Sequence, residues 1–344
     1  MRAVIIHAPR DLRVETSMVA ELGVDDVEVR IEAGGICGSD LHYYQHGGFG
    51  TIRIKEPMIL GHEVAGVITR TGSAVAHLKA GQRVAVSPSR PCRQCRYCQE
   101  GQQQHCLDMR FYGSAMRFPH VQGAFRELLV TSASQCHPVA EGLTAGEAAM
   151  AEPLAVCLHA AKQAGALLGK RVLVTGSGPI GALCMMAARR AGAAQIVATD
   201  VADAALAVAT KIGAERVINV ATEPDVLATY GAGKGTFDVL FEASGNQQAL
   251  VSGLDVLRPG GIVVQVGLGG SVTLPINTIV AKEIQLRGTF RFHEEFALAV
   301  ELMGKSLIDV KPLISATLPF ERATEAFELA ADRSKSMKVQ LAFA

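Results

Sequence analysis

Apolar residues in the first 150 positions fall in short runs, at 2–7, 26–37, 59–72, 82–86 and 124–131, each stopped by glycine or a polar turn. Runs of that length and spacing predict a mostly antiparallel β domain. From about Pro153 the texture changes. Short apolar strands at 171–176, 195–200, 216–220, 237–243 and 261–267 alternate with helical patterns that run through Ala191, through Ile212 and to about Leu257. That alternation predicts a doubly wound parallel sheet with crossover helices. Past Gly288, helical stretches near 294–304 and 320–331 and a strand at 338–343 are expected to return to the first domain. The fold class expected is α/β: a parallel-sheet domain at 153–289, and a mostly β domain formed by 1–152 and 290–344.

Composition narrows the function. The 344 residues fit two domains as a prior. Lys+Arg 33 against Asp+Glu 33 leaves no net field to recruit nucleic acid or a membrane surface, so a small-molecule substrate is expected. Hydrophobic residues at 49% and charged residues at 19% argue for packed cores rather than disorder. The uncharged stretch 172–188 is broken by glycines and a proline, so no membrane helix is expected, and the N-terminus lacks a secretory apolar core. A cytoplasmic address follows. Four of the eight cysteines crowd into fifteen positions, which suits reduced thiols and a metal better than disulfides.

Chemistry concentrates in three places. Cys92, Cys95, Cys98 and Cys106 form a C-x2-C-x2-C-x7-C run within a lobe at 90–108. Four thiolates so spaced can close a tetrahedron without an open position, the pattern of structural zinc. An iron–sulfur cluster shares the first spacings, but the last interval is too long and no proline follows Cys106. The second place is Gly176-x-Gly178-x-x-Gly181, directly after a strand pattern and opening a helix at Pro179, with Asp200 ending the next strand nineteen residues after Gly181. This context makes the motif a Rossmann dinucleotide turn. Its glycines admit a pyrophosphate, which the helix N-terminus stabilises. Pro179 and Ile180 lie in the turn, and Val266 and Leu268 follow the fifth strand as further cofactor contacts. Asp200 would meet both ribose hydroxyls and repel a 2′-phosphate, and no arginine follows it, so NAD is expected before NADP. The third place is scattered: Cys37, His62, Glu63 and Glu152. Each alone has a bland structural reading. Together they offer thiolate, imidazole and carboxylate, the mixed set of a catalytic zinc with a position left for substrate.

With those residues in view, the chain resembles the zinc-dependent medium-chain dehydrogenases, in their polyol (sorbitol) dehydrogenase branch. Gly61-His62-Glu63-x2-Gly66-x5-Gly72-x2-Val75 fits that family's zinc signature, and the resemblance runs from Met1 to Ala344. It implies a GroES-like catalytic domain beside the Rossmann domain. It implies Cys37, His62 and Glu63 as catalytic zinc ligands, with Glu152 either a direct ligand or the carboxylate holding the zinc-bound water. Asp40 matches a carboxylate that orients His62, Ser39 and His42 match a proton relay, and the four clustered cysteines match the structural zinc. The stretches around Cys37, around Arg110 and around Arg291 imply a sugar-acid substrate: L-idonate, oxidised to 5-keto-D-gluconate with hydride passing to NAD. Sorbitol, xylitol, butanediol or threonine are the nearer alternatives, and a non-catalytic NAD-binding protein is the alternative of a different class. Arg291 aligns with the family's substrate-contacting arginine; Tyr43, Arg110, Arg117 and His120 are further candidates. Phe292 stands where many relatives have tyrosine, which removes a polar group near the substrate. The family's habit of pairing cofactor domains edge to edge implies a homotetramer or homodimer, with the segment 261–276 as a candidate edge.

Overall fold

Val27, Val29 and Ile31 alternate with polar residues along Asp26–Gly35 and are fully buried, each stabilising the fold by roughly 1.5–3 kcal/mol. That strand lies inside a seven-stranded sheet. One path through the sheet runs Cys136–Pro138, Arg83–Val86, Glu63–Thr71, Asp26–Gly35, Lys338–Ala342, Ile314–Pro319, and Leu128–Ser132 also pairs with Asp26–Gly35. All its pairings are antiparallel except that of Ile314–Pro319 with Lys338–Ala342. A smaller sheet of Asp11–Thr16, Arg2–Ala8 and Met58–Ile59 packs in the same core. The computed structural model describes residues 1–343. These strands belong to a compact unit of Met1–Glu152, His293–Asp332 and the segment from Lys338 onward.

Two local departures from the apolar pattern matter for chemistry. The run at 59–72 is not one strand: it breaks between Met58–Ile59 and Glu63–Thr71. Gly61 takes a φ of 89°, a left-handed conformation that glycine adopts without steric cost, and its N–H goes to the Asp40 carboxylate rather than to a ladder. The second departure is a helix, Gly38–His46, in a histidine- and tyrosine-rich stretch with no apolar stripe to announce it. Cys37 is its N-cap residue, and Asp40 closes it by accepting from the Cys37 N–H at 3.0 Å.

The other unit, Pro153–Phe292 with Arg333–Met337, holds a six-stranded sheet. Its order is Arg216–Asn219, Gln195–Asp200, Arg171–Thr175, Phe237–Glu242, Leu257–Gln265, Gln285–Gly288, every pair parallel. Numbered along the chain this is 3-2-1-4-5-6, the doubly wound Rossmann order, and the strand order reverses beside Arg171–Thr175. Leu173, Val197, Leu240, Leu254 and Val263 form its core. Among the described residues no helix is long and apolar enough to cross a membrane.

Candidate active site and metal centres

Cys37, His62 and Glu63 come together where the central strand ends and the Gly61 break turns the chain. Their ligand atoms lie within 4.8 Å of one another. His62 and Glu63 are buried, and the Nδ1 of His62 has no hydrogen-bond partner. Thiolate, imidazole and carboxylate converging this closely are a donor set that holds a divalent cation, so the residues present suit zinc. Asp40 lies 3.8 Å from the imidazole, longer than a hydrogen bond, and its carboxylate instead accepts from the backbone of Cys37 and Gly61. It therefore fixes the two backbone segments that carry the ligands.

The Glu63 carboxylate reaches across the central strand. Gly35 faces Glu63 on one side and Gln340 on the other, and a Cβ on Gly35 would sit 2.1 Å from Glu63 Oε2. The missing side chain opens the way to Lys338, whose Nζ donates to Glu63 Oε1 at 2.8 Å, to Oε2 at 2.7 Å and to the Ile36 carbonyl at 3.1 Å. Burial alone disfavours the charge on Lys338, yet Glu63 and Cys37 outweigh it and hold the lysine above its ordinary range. Burial, reinforced by Glu63, pushes the Cys37 thiol up to about 12. Burial likewise pushes the Glu152 carboxyl up to about 8, with Glu63 and Cys37 adding to the shift and His62 opposing it. One internal cation thus serves a crowd of acids, which is the electrostatics of a site built around a second positive charge. Glu152, in the first turn of Ala151–Ala164, belongs to this neighbourhood but not to the set within 4.8 Å.

The cysteine lobe makes the second centre. Cys92, Cys95, Cys98 and Cys106 also lie within 4.8 Å of one another, with Cys95 Sγ 3.6 Å from Cys98 Sγ and 4.0 Å from Cys106 Sγ. A tetrahedron with zinc–sulfur bonds of about 2.3 Å has edges of about 3.8 Å, whereas a disulfide would bring two sulfurs to about 2.05 Å. The amides of Cys92, Cys95 and Asp108 donate to these sulfurs. Amide donors from Leu107 and Cys98 pull the Cys95 thiol down to about 6, while burial pushes Cys98 up to about 12. The lobe fits a closed structural zinc.

In the Rossmann unit the three motif glycines do different work. Gly176 has a φ of 83°, and a Cβ there would meet the Ser244 N at 2.7 Å; a Cβ on Gly181 would meet the Gly176 carbonyl at 1.8 Å. Gly178 faces open space, the room a pyrophosphate needs, and it caps the helix Pro179–Arg190. Ile180 is half-buried in the first turn of that helix. Asp200 braces the turn, accepting from Ser177 N at 2.6 Å, Val201 N at 2.7 Å and Ala202 N at 2.9 Å. The Val266 N–H donates to the Glu242 carbonyl, and Leu268 is exposed.

The remaining candidates separate. Ser39 and His42 ride the helix Gly38–His46, with His42 exposed. Tyr43 is buried and its hydroxyl accepts from the Ala115 N–H at 3.0 Å, tying that helix to the distant loop that carries Ala115. His120 is committed on both ring nitrogens: Nδ1 meets the Arg117 carbonyl at 2.7 Å and Nε2 accepts from the Lys55 N–H at 2.8 Å. Arg117 is ion-paired with Asp108. Arg110 lies on a strand with Phe111, whose ring sits 5.5 Å from that of His62. Successive strand residues point to opposite faces, so Arg110 turns away from the metal ligands. Arg291 has a φ of 54° and its guanidinium lies over the Phe290 ring; Phe292 beside it is buried.

Two residues escaped the sequence reading. Lys338 passed as the first residue of a strand; a lysine opening an otherwise buried run is the signal, since such a group needs a partner. Glu242 closes the apolar strand Phe237–Glu242. Its buried carboxylate accepts from the amides of Ser244 and Gly245, the Ser244 hydroxyl and, at 2.6 Å, Gln265 Nε2. It thereby fixes the turn that packs against Gly176.

A GroES-like β unit with a thiolate–imidazole–carboxylate centre, together with a Rossmann sheet, defines a class. The chain belongs to the zinc-binding alcohol dehydrogenases: residues 23–141 match the alcohol dehydrogenase GroES-like domain and residues 179–305 match the zinc-binding dehydrogenase family. Among individual proteins it is similar to the L-idonate 5-dehydrogenase (NAD(P)(+)) of Escherichia coli K12, at 46% identity over 92% of this chain and 91% of that one. The sorbitol dehydrogenase of Gallus gallus is 37% identical over 98% of this chain and 95% of the relative. A crystal structure of L-idonate 5-dehydrogenase from Escherichia coli superposes with a TM-score of 0.95 at 43% identity, covering 99% of this chain and 97% of that one.

Proposed function

We propose that this chain oxidises a secondary hydroxyl of a sugar acid, L-idonate to 5-keto-D-gluconate, with NAD as acceptor. The observation that carries the reading is the convergence of Cys37, His62 and Glu63 within 4.8 Å of one another, on a chain that also bears an open dinucleotide turn. The alcohol carbon gives a hydride to the nicotinamide ring and the hydroxyl gives a proton, leaving the ketone and reduced cofactor. Held by Cys37, His62 and Glu63, zinc supplies the Lewis acidity that brings deprotonation of an alcohol into the neutral range. Ser39 and His42 take that proton towards solvent, and Glu152 holds the hydroxyl or a water beside the ligands. The cysteine lobe, closed around its own zinc, is structural. The catalytic domain is assigned to 1–152 with the return segment after 290, and the cofactor domain to 153–289; the compact units group 290–292 and 333–337 with the cofactor domain instead.

Arg291 is the group assigned to the substrate carboxylate, since its planar fork matches one. Arg117 and His120 have committed partners and Arg110 faces elsewhere, which weighs against all three. Tyr43 supports the loop that carries Ala115. Asp200 favours NAD over NADP, although the Escherichia coli relative carries both in its name. Reduced thiols in two metal sites suit the cytoplasm.

A homodimer or homotetramer is supported by the outer strand Gln285–Gly288, which ends the Rossmann sheet with Leu286 exposed; the expected edge 261–276 begins in Leu257–Gln265, which is paired on both sides. Sedimentation should give two or four times 36.3 kDa, and a mass of one chain would contradict it. The function is tested by initial rates of NAD reduction with L-idonate, sorbitol, xylitol, butanediol and threonine. L-Idonate should give the highest kcat/KM. A preference for an uncharged polyol would discard the carboxylate assignment to Arg291 and leave the zinc chemistry in place.

A further inference from the structure

We propose that the base of the cysteine lobe binds a small anion of two or more negative charges, at a site separate from the metal ligands of the catalytic centre. The strands Ser89–Arg90 and Arg110–Phe111 pair antiparallel, placing Arg90 directly opposite Arg110 and Ser89 opposite Phe111. Facing residues project from the same side of a ribbon, and like charges so placed repel. Phe111 packs towards His62, so the two arginines occupy the other face.

On that face lies a cavity of about 760 Å³, lined by Arg90, Arg93 and Arg110 together with His293. That volume is within the range of small-molecule sites. Arg93 is held at a φ of 62°, a left-handed conformation uncommon for a side-chain-bearing residue. Among the described residues none of the three guanidiniums forms an ion pair or a side-chain hydrogen bond. The acids on the wall are Asp108, already paired with Arg117, and Glu294. Three unpaired guanidiniums, two of them forced to face each other, make a receptor whose repulsion is relieved when a multivalent anion enters. Planar, multi-donor guanidinium groups select phosphate and carboxylate oxygens over chloride. The site does not depend on which alcohol the chain oxidises, and it gives Arg110 a role other than substrate contact.

Titration calorimetry of inorganic phosphate, and separately of citrate, tests the site in zinc-loaded protein saturated with NADH, which fills the dinucleotide turn. At constant ionic strength each should bind once per chain with a Kd of about 1 mM or tighter. The double variant Arg90→Gln/Arg93→Gln should weaken binding at least about tenfold without lowering the melting temperature of the anion-free protein, because it removes repulsion. Arg96→Gln, whose guanidinium lies over the Tyr97 ring outside the cavity, should leave binding unchanged. Should the double variant lose zinc from the lobe, Arg110→Gln on the opposite strand is judged by the same tenfold criterion. Absence of saturable heat with both anions, or equal weakening by Arg96→Gln, would overturn the proposal.

Discussion

Lys338 and Glu63 are 275 positions apart in sequence and meet in a pocket where neither touches water. An ion pair taken so far from solvent adds little net stability, but removing one partner leaves a bare buried charge, which typically costs about 3–5 kcal/mol. Lys338→Met should therefore destabilise the metal-free protein by about that amount. In zinc-loaded protein the loss should be smaller, because the ion balances Glu63. Denaturant titrations with and without zinc measure both, and equal losses would show that Glu63 answers to Lys338 alone. No window of sequence could show this pairing: it depends on Gly35, between the two strands, having no side chain. The grouping of Cys37, His62 and Glu63 was legible, because the three carry chemistry in their residue types, and their ligand atoms do converge. His120 was misleading for the same reason. Its imidazole reads as functional in sequence, yet both nitrogens close backbone hydrogen bonds.

At the scale of elements, patterns held within a dozen residues were readable and those set by tertiary geometry were not. The glycine turn and the cysteine run declare themselves by spacing. The helix Gly38–His46 does not, since it lacks an apolar stripe and is held by its Cys37–Asp40 cap. The break at Gly61 was likewise hidden inside a continuous apolar run. In the Rossmann sheet, Asp238 ties neighbouring strands at their entry: it accepts from Arg171 N at 2.8 Å and Arg258 Nε at 2.7 Å, with Lys170 at 3.7 Å. Burial pushes its carboxyl up, but the Arg171 amide, Arg258 and Lys170 outweigh that and leave it below the ordinary value of 3.8. A depressed folded-state pKa contributes stability above the unfolded value, and that contribution is lost as pH falls through the folded one. Asp238→Asn should thus cost about 1–3 kcal/mol at neutral pH, the same at about pH 5, and less below 3.8. Urea unfolding at the three pH values checks the sign; a gap that widens in acid would contradict it.

For the molecule as a whole, we assign the two candidate metal centres different purposes: one open to substrate chemistry, one closing a lobe. Zinc analysis should find two ions per chain, and Cys98→Ser should release one while loosening only the lobe. The claim at the centre is that Cys37, His62 and Glu63 are where the alcohol is activated. The most direct measurement is the rate at which a Cys37→Ala variant reduces NAD with L-idonate, in protein shown to retain the lobe zinc and to bind NADH as the parent does. The loss should be at least about a thousandfold, the several kcal/mol of Lewis-acid stabilisation read as rate. A variant that keeps its lobe zinc, binds NADH and still oxidises L-idonate within tenfold of the parent would place the chemistry elsewhere.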